Sequence, residues 1–338
     1  MATLQEVAKR AGVSPITVSR VVNQTGYFSG ATRERVQQAV AELGYMPNTL
    51  ARSLRSKRTN TLGLILTDIT NPFFTTLARG VEDAASAAGF TVVFCNTDES
   101  ETKELRYTQM LLEKRVDGIL LVPARSSLAS VELARKHKTP LVALDRAQPG
   151  AGVDVVRCDT EDGAYRLTKL LLGLRHRRIV ALTGPRDNPT AQERAAGYRR
   201  AMAEVGLKED AMLVFYGEFN QQSGFEMALQ ALSNSPRPTA LLAANNFLTI
   251  GAMKALQHCG LKVPEDLALT GFDDLPPAMV TFPFFTVASQ PAYEVGQRGL
   301  GLLLERLDGS APQETREVIL PIEIIIRLSS GGVLSTNN

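Results

Sequence analysis

The sequence predicts a small all-α helix-turn-helix headpiece followed by an α/β core of two doubly wound parallel-sheet subdomains. The first 23 residues hold two short amphipathic stretches with helix start and stop signals. The first 60 residues contain nine Lys/Arg and three Asp/Glu, whereas the whole chain carries a net charge of only +2. Beyond Asn60, short apolar runs alternate with helical stretches, as in parallel sheets covered on both faces.

The first stretch predicts a helix that begins after Thr3. Thr3 and Glu6 have the spacing of a capping box, and the apolar residues that follow recur at helical intervals. Gly12 stands where a helix end favours a residue with positive φ. The sequence therefore predicts one short helix and then a tight turn.

The second stretch predicts a helix capped by Ser14, with Pro15 in its first turn. Its valines form one apolar side, while Ile16 and Arg20, four residues apart, share another side. A generic helical hairpin would show the same caps. The concentration of basic charge favours a DNA-reading unit instead.

A third helix is predicted from Gly30 to Leu43, with Ser29 as its cap and Gly44 as its stop. Its apolar stripe is Val36, Ala39, Val40 and Leu43. A further helix of about two turns can begin after Asn48. A helix that short is marginal in water, so we expect it to need a partner.

The core is predicted to contain about four βα units before residue 160 and about four after it. The predicted strands are Leu62–Thr67, Thr91–Cys95, Gly118–Val122, Leu141–Leu144, Ile179–Thr183, Met212–Phe215, Ala240–Ala243, Leu267–Thr270 and a last run, Glu317–Ile326. The predicted helices are Phe74–Ala88, Leu105–Lys114, Gly163–Leu172, Ala191–Val205, Ser223–Leu232 and Leu248–Cys259. Two similar halves predict a cleft, with ligands bound beyond the carboxyl ends of the strands.

Composition and motifs argue against several other classes of protein. Three widely spaced cysteines indicate buried thiols in a reducing cytoplasm, and no apolar run is long enough to span a membrane. The chain shows no dinucleotide fingerprint, P-loop, metalloprotease or nucleophile-elbow motif, so an enzyme is not expected. A sugar-binding protein for uptake would share the core fold, but it would need an export signal in place of a basic helix pair. The C-terminus lacks heptads, so we expect a dimer rather than a coiled-coil tetramer.

Several short motifs occur along the chain in a fixed order: Val7-Ala-x-x-Ala-Gly-Val-Ser14, Thr17–Asn23, Leu43-Gly-Tyr-x-Pro-Asn48, Ala51–Leu54, Asn71–Phe74, Lys114–Ile119, Arg194-x-x-Gly197 and Gly271–Asp274. With these motifs the chain resembles the lac repressor (LacI/GalR) family of bacterial transcription regulators over nearly its whole length. The resemblance implies a periplasmic-binding-protein-like core and a cytoplasmic homodimer on a near-palindromic operator. It also implies a repressor without a cofactor, controlled by a sugar or sugar derivative.

The resemblance also implies boundaries. The headpiece would span 1–46, and the hinge helix and linker 47–60. The N-terminal core subdomain would comprise 61–161 and about 290–320, and the C-terminal one 162–289 and about 321–330. Residues 331–338 would form a flexible tail.

For DNA, the resemblance implies that Pro15, Ile16 and Arg20 face base edges in the major groove. Because Pro15 and Ile16 offer no side-chain hydrogen bonds, Arg20 is expected to be the polar reader and Ile16 to contact a thymine methyl. Thr17, Ser19 and Asn23 would position phosphates, and Leu54 would wedge into the minor groove, with Ala51, Arg52 and Arg55 around it. Alternatively, Ile16 packs in the core and Leu54 is simply the apolar residue of a short amphipathic helix.

For the effector, the resemblance implies a cleft lined from both sides. The expected residues are Asn71, Phe73, Asp145 and Arg146 on one side, Thr190, Arg194, Phe219, Asn245 and Asp273 on the other, and Gln290 where the chain crosses back. Alternatively, Asn71 only shapes a turn, Asp145 caps a helix or turn, and Phe73 is core. Arg146 and Arg194 would equally suit a carboxylate or a phosphate. Asn246 replaces an Asp common in the family, which leaves the role of that acid open.

We predict that Arg20→Ala relaxes base preference at one operator position. The loss of a bidentate contact to guanine should cost ~1–3 kcal/mol of discrimination there. Selection of binding sites from a random DNA pool measures the effect. Unchanged sequence preference would refute the assignment.

Overall fold

A computed structural model describes residues 2–46, 58–208, 212–276 and 284–332. By its internal contacts the chain divides into two units, Met1–Thr59 and Asn60–Asn338, which are described separately below. Within the described residues, no helix is both long and apolar enough to cross a bilayer.

The N-terminal unit consists of α1 (Leu4–Ala11), α2 (Pro15–Val22) and α3 (Gly30–Leu43). The predicted caps are confirmed: Thr3 and Glu6 form a capping box, and Ser14 and Ser29 accept hydrogen bonds from the first turns of α2 and α3. The shared core consists of Val7, Ala8, Ala11, Val18, Val21, Val36 and Ala39. Leu43, predicted within the apolar stripe of α3, is instead exposed at the helix end, where the last turn extends past the core.

The first lobe of the core is built on a six-stranded sheet with the order β11-β5-β4-β3-β1-β2, and every neighbouring pair is parallel. Its strands are β1 (Thr61–Leu66), β2 (Thr91–Asn96), β3 (Gly118–Leu121), β4 (Leu141–Leu144), β5 (Asp154–Cys158) and β11 (Glu317–Leu320). Its helices are α4 (Pro72–Ala87), α5 (Glu101–Glu113), α6 (Ala129–Lys136) and α11 (Ala292–Asp308).

The second lobe is built on a sheet with the order β12-β10-β9-β8-β6-β7, which is parallel except for β12, antiparallel to β10. Its strands are β6 (Ile179–Thr183), β7 (Val214–Tyr216), β8 (Ala240–Ala243), β9 (Ala268–Phe272), β10 (Thr286–Ser289) and β12 (Glu323–Ile325). Its helices are α7 (Thr160–Gly173), α8 (Pro189–Glu204), α9 (Gln221–Leu232) and α10 (Asn246–His258), and a 3₁₀ turn (Leu328–Ser330) follows β12.

The chain crosses between the sheets three times: after β5, after β10, and between β11 and β12. The run 317–326, predicted as one strand, is therefore two strands in different sheets. Pro321 lies between them, and proline cannot donate a ladder hydrogen bond. On the basis of these memberships we propose the division of the core into 61–161 with about 290–320 and 162–289 with about 321–330.

Some elements differ from the sequence analysis. Strand β7 covers Val214–Tyr216 rather than 212–215, and β5, β10, α6 and α11 were not among the predicted elements. Of the expected flexible tail, Gly331 and Gly332 are described: Gly331 closes the 3₁₀ turn, and the amide of Gly332 donates to Ser330. Residues 333–338 and the hinge residues 47–57 lie outside the described residues.

Helices α4 and α11 cover one face of the first sheet and pack closely against each other. Gly80 of α4 and Gly296 of α11 each lie against the backbone of the opposite helix, near the carbonyl oxygens of Tyr293 and Leu77. A methyl group at either position would overlap that oxygen. These glycines therefore set the distance between the two helices.

We predict that Gly296→Ala lowers the free energy of unfolding by ~1–3 kcal/mol, because the backbones must separate to admit the methyl group. Gly301→Ala in the same helix is the matched control, since no atom lies within 4 Å of the added carbon. That variant should gain about 0.5–1 kcal/mol from helix propensity. Urea denaturation of both proteins measures the difference, and equal stability would contradict the packing argument.

Candidate functional site

A narrow cleft lies between the two lobes, at the carboxyl ends of strands from both sheets. Thirteen residues line it: Asp68, Asn71, Phe73, Phe74, Glu99, Asp145, Arg146, Thr190, Arg194, Phe219, Asn245, Asp273 and Gln290. All ten residues expected from the sequence are among them. Asp68, Phe74 and Glu99 are additional.

Two aspartates occupy matching positions in the two lobes. Asp145 directly follows β4 and Asp273 directly follows β9, with left-handed φ of 66° and 67°. Asp145 does not cap a helix; its backbone N–H donates to Val156 (2.8 Å). Both side chains are buried and lie in the cleft. The strained backbone thus presents a carboxylate from each lobe.

Asparagines at helix starts provide further polar groups. Asn71 caps α4, where its Oδ1 accepts from the backbone of Phe73 (3.0 Å), and Asn245 caps α10. Asn71 therefore shapes the turn and also lines the cleft. Phe73 is almost fully buried in the first lobe's core and contacts the cleft with its remaining surface.

Arg146 is committed to protein partners. Its Nη1 and Nη2 donate to the two carboxylate oxygens of Glu99 (both 2.7 Å), and Nη1 also donates to the carbonyls of Pro123 and Ala124. Burial alone would lower the pKa of Arg146, but the pairing with Glu99 raises it. Arg146 therefore orders the cleft wall, and its buried Nε, like that of Arg194, has no hydrogen-bond partner among the described residues.

Arg194 is the second cation of the cleft, and both aspartates act on it electrostatically. Its guanidinium carbon lies 4.1 Å from the ring centre of Phe272, its Nη1 donates to the carbonyl of Ala244, and its buried Nε has no hydrogen-bond partner among the described residues. Burial lowers its pKa, while the carboxylates of Asp273 and Asp145 act in the opposite direction. An unsatisfied Nε in a polar cleft is a donor available to a ligand.

Burial is also the main influence on the pKa of each of the two cleft aspartates. It raises the pKa of Asp145 to about 6, against the attraction of Arg146 and Arg194. It raises the pKa of Asp273 as well, although Arg194 and a hydrogen bond from Gln290 Nε2 (2.6 Å) favour the charged form. The Oε1 of Gln290 is buried without a partner among the described residues. The cleft thus offers acceptors and donors close together.

The charge of the lining disfavours anionic ligands. Four carboxylates, Asp68, Glu99, Asp145 and Asp273, face only two cations, and Arg146 is neutralised by Glu99. A phosphate or carboxylate would meet a surplus of negative charge. A neutral polyol, with hydroxyls that both donate and accept, suits the lining, and Phe219, which packs flat against Gly184, adds an aromatic wall.

Direct contacts connect the lobes across the cleft. Asn246 Nδ2 donates to Asn71 Oδ1 (2.9 Å), and both side chains are buried. Arg125 of the first lobe pairs with Asp187 (2.7 Å) and Glu218 (3.2 Å) of the second. An aspartate at 246 could not donate to Asn71 when ionised, so the amide gives this cleft a cross-lobe contact of its own.

In the N-terminal unit, Pro15, Ile16 and Arg20 lie exposed on α2. Ile16 is 67% exposed, so the alternative that it packs in the core is wrong. Thr17 shares a hydrogen bond with Ser14 (2.9 Å), and Asn23 Nδ2 donates to the carbonyl of Ser19 (2.7 Å), closing the end of α2. Ala51, Arg52, Leu54 and Arg55 lie outside the described residues.

Asp68 and Glu99, which the sequence analysis missed, occupy the same kind of position as the cleft residues that it found. Asp68 comes two residues after β1 and Glu99 three after β2, so both lie at the carboxyl edge of the first sheet. The rule that ligands bind at this edge could have found them. No group of three His, Cys, Asp or Glu that could hold a metal occurs within the described ranges.

Family models match both parts of the chain. The model described as bacterial regulatory proteins, lacI family, matches residues 3–48. The model described as periplasmic binding proteins and sugar binding domain of the LacI family matches residues 59–328.

Individual relatives match over nearly the whole chain. The ribose operon repressor of Escherichia coli is 36% identical over 323 residues, which are 95% of this chain and 98% of the relative. The HTH-type transcriptional repressor PurR of Vibrio campbellii is 37% identical, covering 97% and 98%.

Solved structures of regulators are also similar to this chain. The lac repressor dimer bound to operator and the anti-inducer ONPF superposes with a TM-score of 0.86 at 28% identity, covering 97% of this chain and 99% of that one. A LacI family transcriptional regulator from Enterococcus faecium with bound ribose gives a TM-score of 0.72 at 29% identity, covering 80% and 98%.

We predict that the stability of the ligand-free protein falls as pH rises from about 4 to about 6. In this window the folded protein keeps a proton on Asp145 that the unfolded chain has lost, because the folded pKa is the higher one. The Asp145 contribution is about 3 kcal/mol, fully present below pH 4 and lost above pH 6. Asp145→Asn, which tolerates the left-handed backbone, should remove that part of the slope. Denaturant titrations across this range test it; an identical slope in the Asn variant would exclude Asp145.

Proposed function

The chain belongs to the LacI family of bacterial regulatory proteins, and we propose that it is a repressor whose hold on operator DNA is controlled by a neutral monosaccharide bound in the cleft. The observation that carries this ligand class is the lining of the cleft, in which four carboxylates stand against two arginines. Hydroxyl groups can donate to Asp145 and Asp273 and accept from Arg194, as sugar recognition requires. The ribose named for two of the similar proteins belongs to that class.

We further propose that the protein acts in the bacterial cytoplasm as a homodimer on a near-palindromic operator, like the lac repressor dimer that it resembles. Each α2 would enter a major groove, with Arg20 as polar reader and Pro15 and Ile16 beside it. Thr17, Ser19 and Asn23 would contact or position the phosphate backbone. The proposed roles of Ala51, Arg52, Leu54 and Arg55 in the minor groove rest on the sequence alone.

The proposed control depends on a ligand that contacts both lobes at once. A sugar bound by Asp145 of the first lobe and by Arg194 and Asp273 of the second adds cross-cleft contacts to those of Asn246 and Arg125. It would therefore favour one relative arrangement of the lobes, and operator affinity would change with it. Such coupling is typically ~1–3 kcal/mol, or about 5–150-fold in affinity, and it is reciprocal.

We predict that one neutral pentose or hexose raises the unfolding temperature in a panel that includes ribose and phosphorylated sugars. At a hundredfold excess over its Kd the ligand should add about 2.7 kcal/mol of stability. Asp273→Asn should abolish the shift, because it removes a charged acceptor without changing side-chain size. Asp274→Asn is the matched control. Because Asp274 pairs with Arg327 outside the cleft, the ligand should still raise the unfolding temperature of this variant.

The same ligand should alter operator affinity of the full chain in a fluorescence-anisotropy titration. A response restricted to phosphorylated sugars would overturn the neutral ligand class. Stabilisation without any change in operator affinity would overturn the proposed control.

A further inference from the structure

A second cavity, of about 320 Å³ and open to solvent, lies in the first lobe at the sheet edge opposite the cleft. Its walls come from the end of α6 and from the segments that lead into β4, β5 and β11, so it lies at the amino ends of these parallel strands. Leu141, Val131 and Val153 provide apolar surface. The cavity shares no lining residue with the effector cleft.

Asp154 is the one carboxylate among the residues that line this cavity, and it is fully engaged. Its Oδ1 accepts from Arg306 Nη2 (2.7 Å) and from the backbone N–H of Arg316 (2.8 Å). Its Oδ2 accepts from Arg306 Nε (3.0 Å) and Arg316 Nη2 (2.8 Å). These two guanidiniums lower the pKa of Asp154 to about 2. One buried carboxylate faces two arginines, so it does not cancel other positive charge in the cavity.

Two further cations line the cavity without a carboxylate partner among the described residues. Arg135 donates through Nη2 to the carbonyl of Ala151, and the absence of a side chain at Gly152 leaves room for this guanidinium. Lys138 makes no side-chain hydrogen bond or ion pair within the described part of the chain. The hydroxyls of Thr139 and Thr315 and the amide of Gln313 likewise have no hydrogen-bond partner there.

The walls that carry these groups are held in place. Arg306 donates to the carbonyls of Pro312 and Glu314, and Arg316 pairs with Glu305. The segment bearing Gln313 and Thr315 is thereby fixed to α11. Arg135 and Lys138 are exposed cations at the rim of this cavity. Cationic donors beside fixed walls of net positive charge can make charge-assisted hydrogen bonds to a small anion.

We propose that this cavity binds a small phosphate-bearing metabolite, with Lys138 and Arg135 holding the phosphate and the Thr and Gln side chains meeting its polar body. The two cavities of the core then differ in ligand chemistry: the cleft has a surplus of carboxylates, and this cavity a surplus of cations. The inference does not depend on the sugar proposal. Asn60, whose N–H donates to Asp117 (2.8 Å), leads the chain into β1 at this same sheet edge, so the test below includes operator binding.

The test is isothermal titration of the full-length protein with inorganic phosphate and with glycerol 3-phosphate, at an ionic strength fixed with chloride. We expect saturable binding, weakened about tenfold or more in Lys138→Ala by loss of a charge-assisted hydrogen bond. Lys136→Ala is the matched control: it removes the same charge from the same helix end, but Lys136 does not line the cavity. Thr315→Val, which keeps the side-chain shape, should weaken glycerol 3-phosphate binding while leaving the unfolding temperature unchanged.

Each other outcome overturns the proposal. An equal loss in Lys136→Ala and Lys138→Ala would indicate a diffuse field rather than a site. Phosphate binding that is lost in Asp273→Asn and kept in Lys138→Ala would assign the anion to the cleft. If Lys138→Ala changes only the salt dependence of operator binding, the surface contacts the DNA backbone and not a metabolite. Absence of saturable binding refutes the site outright.

Discussion

Three crossings of the backbone between the two sheets constrain the rest of the core. Because the chain passes after β5, after β10 and between β11 and β12, neither lobe can separate from the other. Both parallel sheets therefore direct their carboxyl ends at one shared cleft, where loops must begin and backbone groups are unpaired. The polar residues at those ends come together as a consequence, and the aspartates that follow β4 and β9 with left-handed backbones illustrate this symmetry.

The N-terminal unit and the cleft differ in the sign of their charge. The basic N-terminal unit carries an exposed isoleucine and arginine on α2, which suits groove reading. The cleft is lined by more carboxylates than cations, and its cross-lobe contacts include an amide pair at Asn71 and Asn246 and an ion-pair cluster at Arg125. The amide pair is neutral and buried, so salt screens it little, whereas the exposed carboxylates opposite Arg125 are open to screening.

The sequence was sufficient to predict those elements that depend on neighbouring residues, such as helix caps and buried strands. Caps at Thr3, Ser14 and Ser29 lie within three residues of their partners, and the buried strands of both sheets are uninterrupted apolar runs. The effector residues were found through a family resemblance rather than from periodicity.

The features that the sequence could not show depend on partners that are distant along the chain. Glu99 gains its role from Arg146, 47 positions along the chain, and residues 317–326 split between two sheets that no local pattern distinguishes. Leu43 matched the helical stripe, but the core ended one turn earlier.

The division of residues 317–325 between the sheets has a consequence for biosynthesis. Proteins emerge from the ribosome N-terminus first, and domains generally fold in that order. Here the first lobe lacks helix α11 and edge strand β11 until almost the whole chain has been translated, and the second lobe lacks β12 until a few residues later. In a nascent chain that ends before residue 317, β5 therefore lacks its neighbour β11 and β10 lacks its neighbour β12. The two lobes must be completed nearly together, at the end of translation, although the N-terminal unit can fold long before.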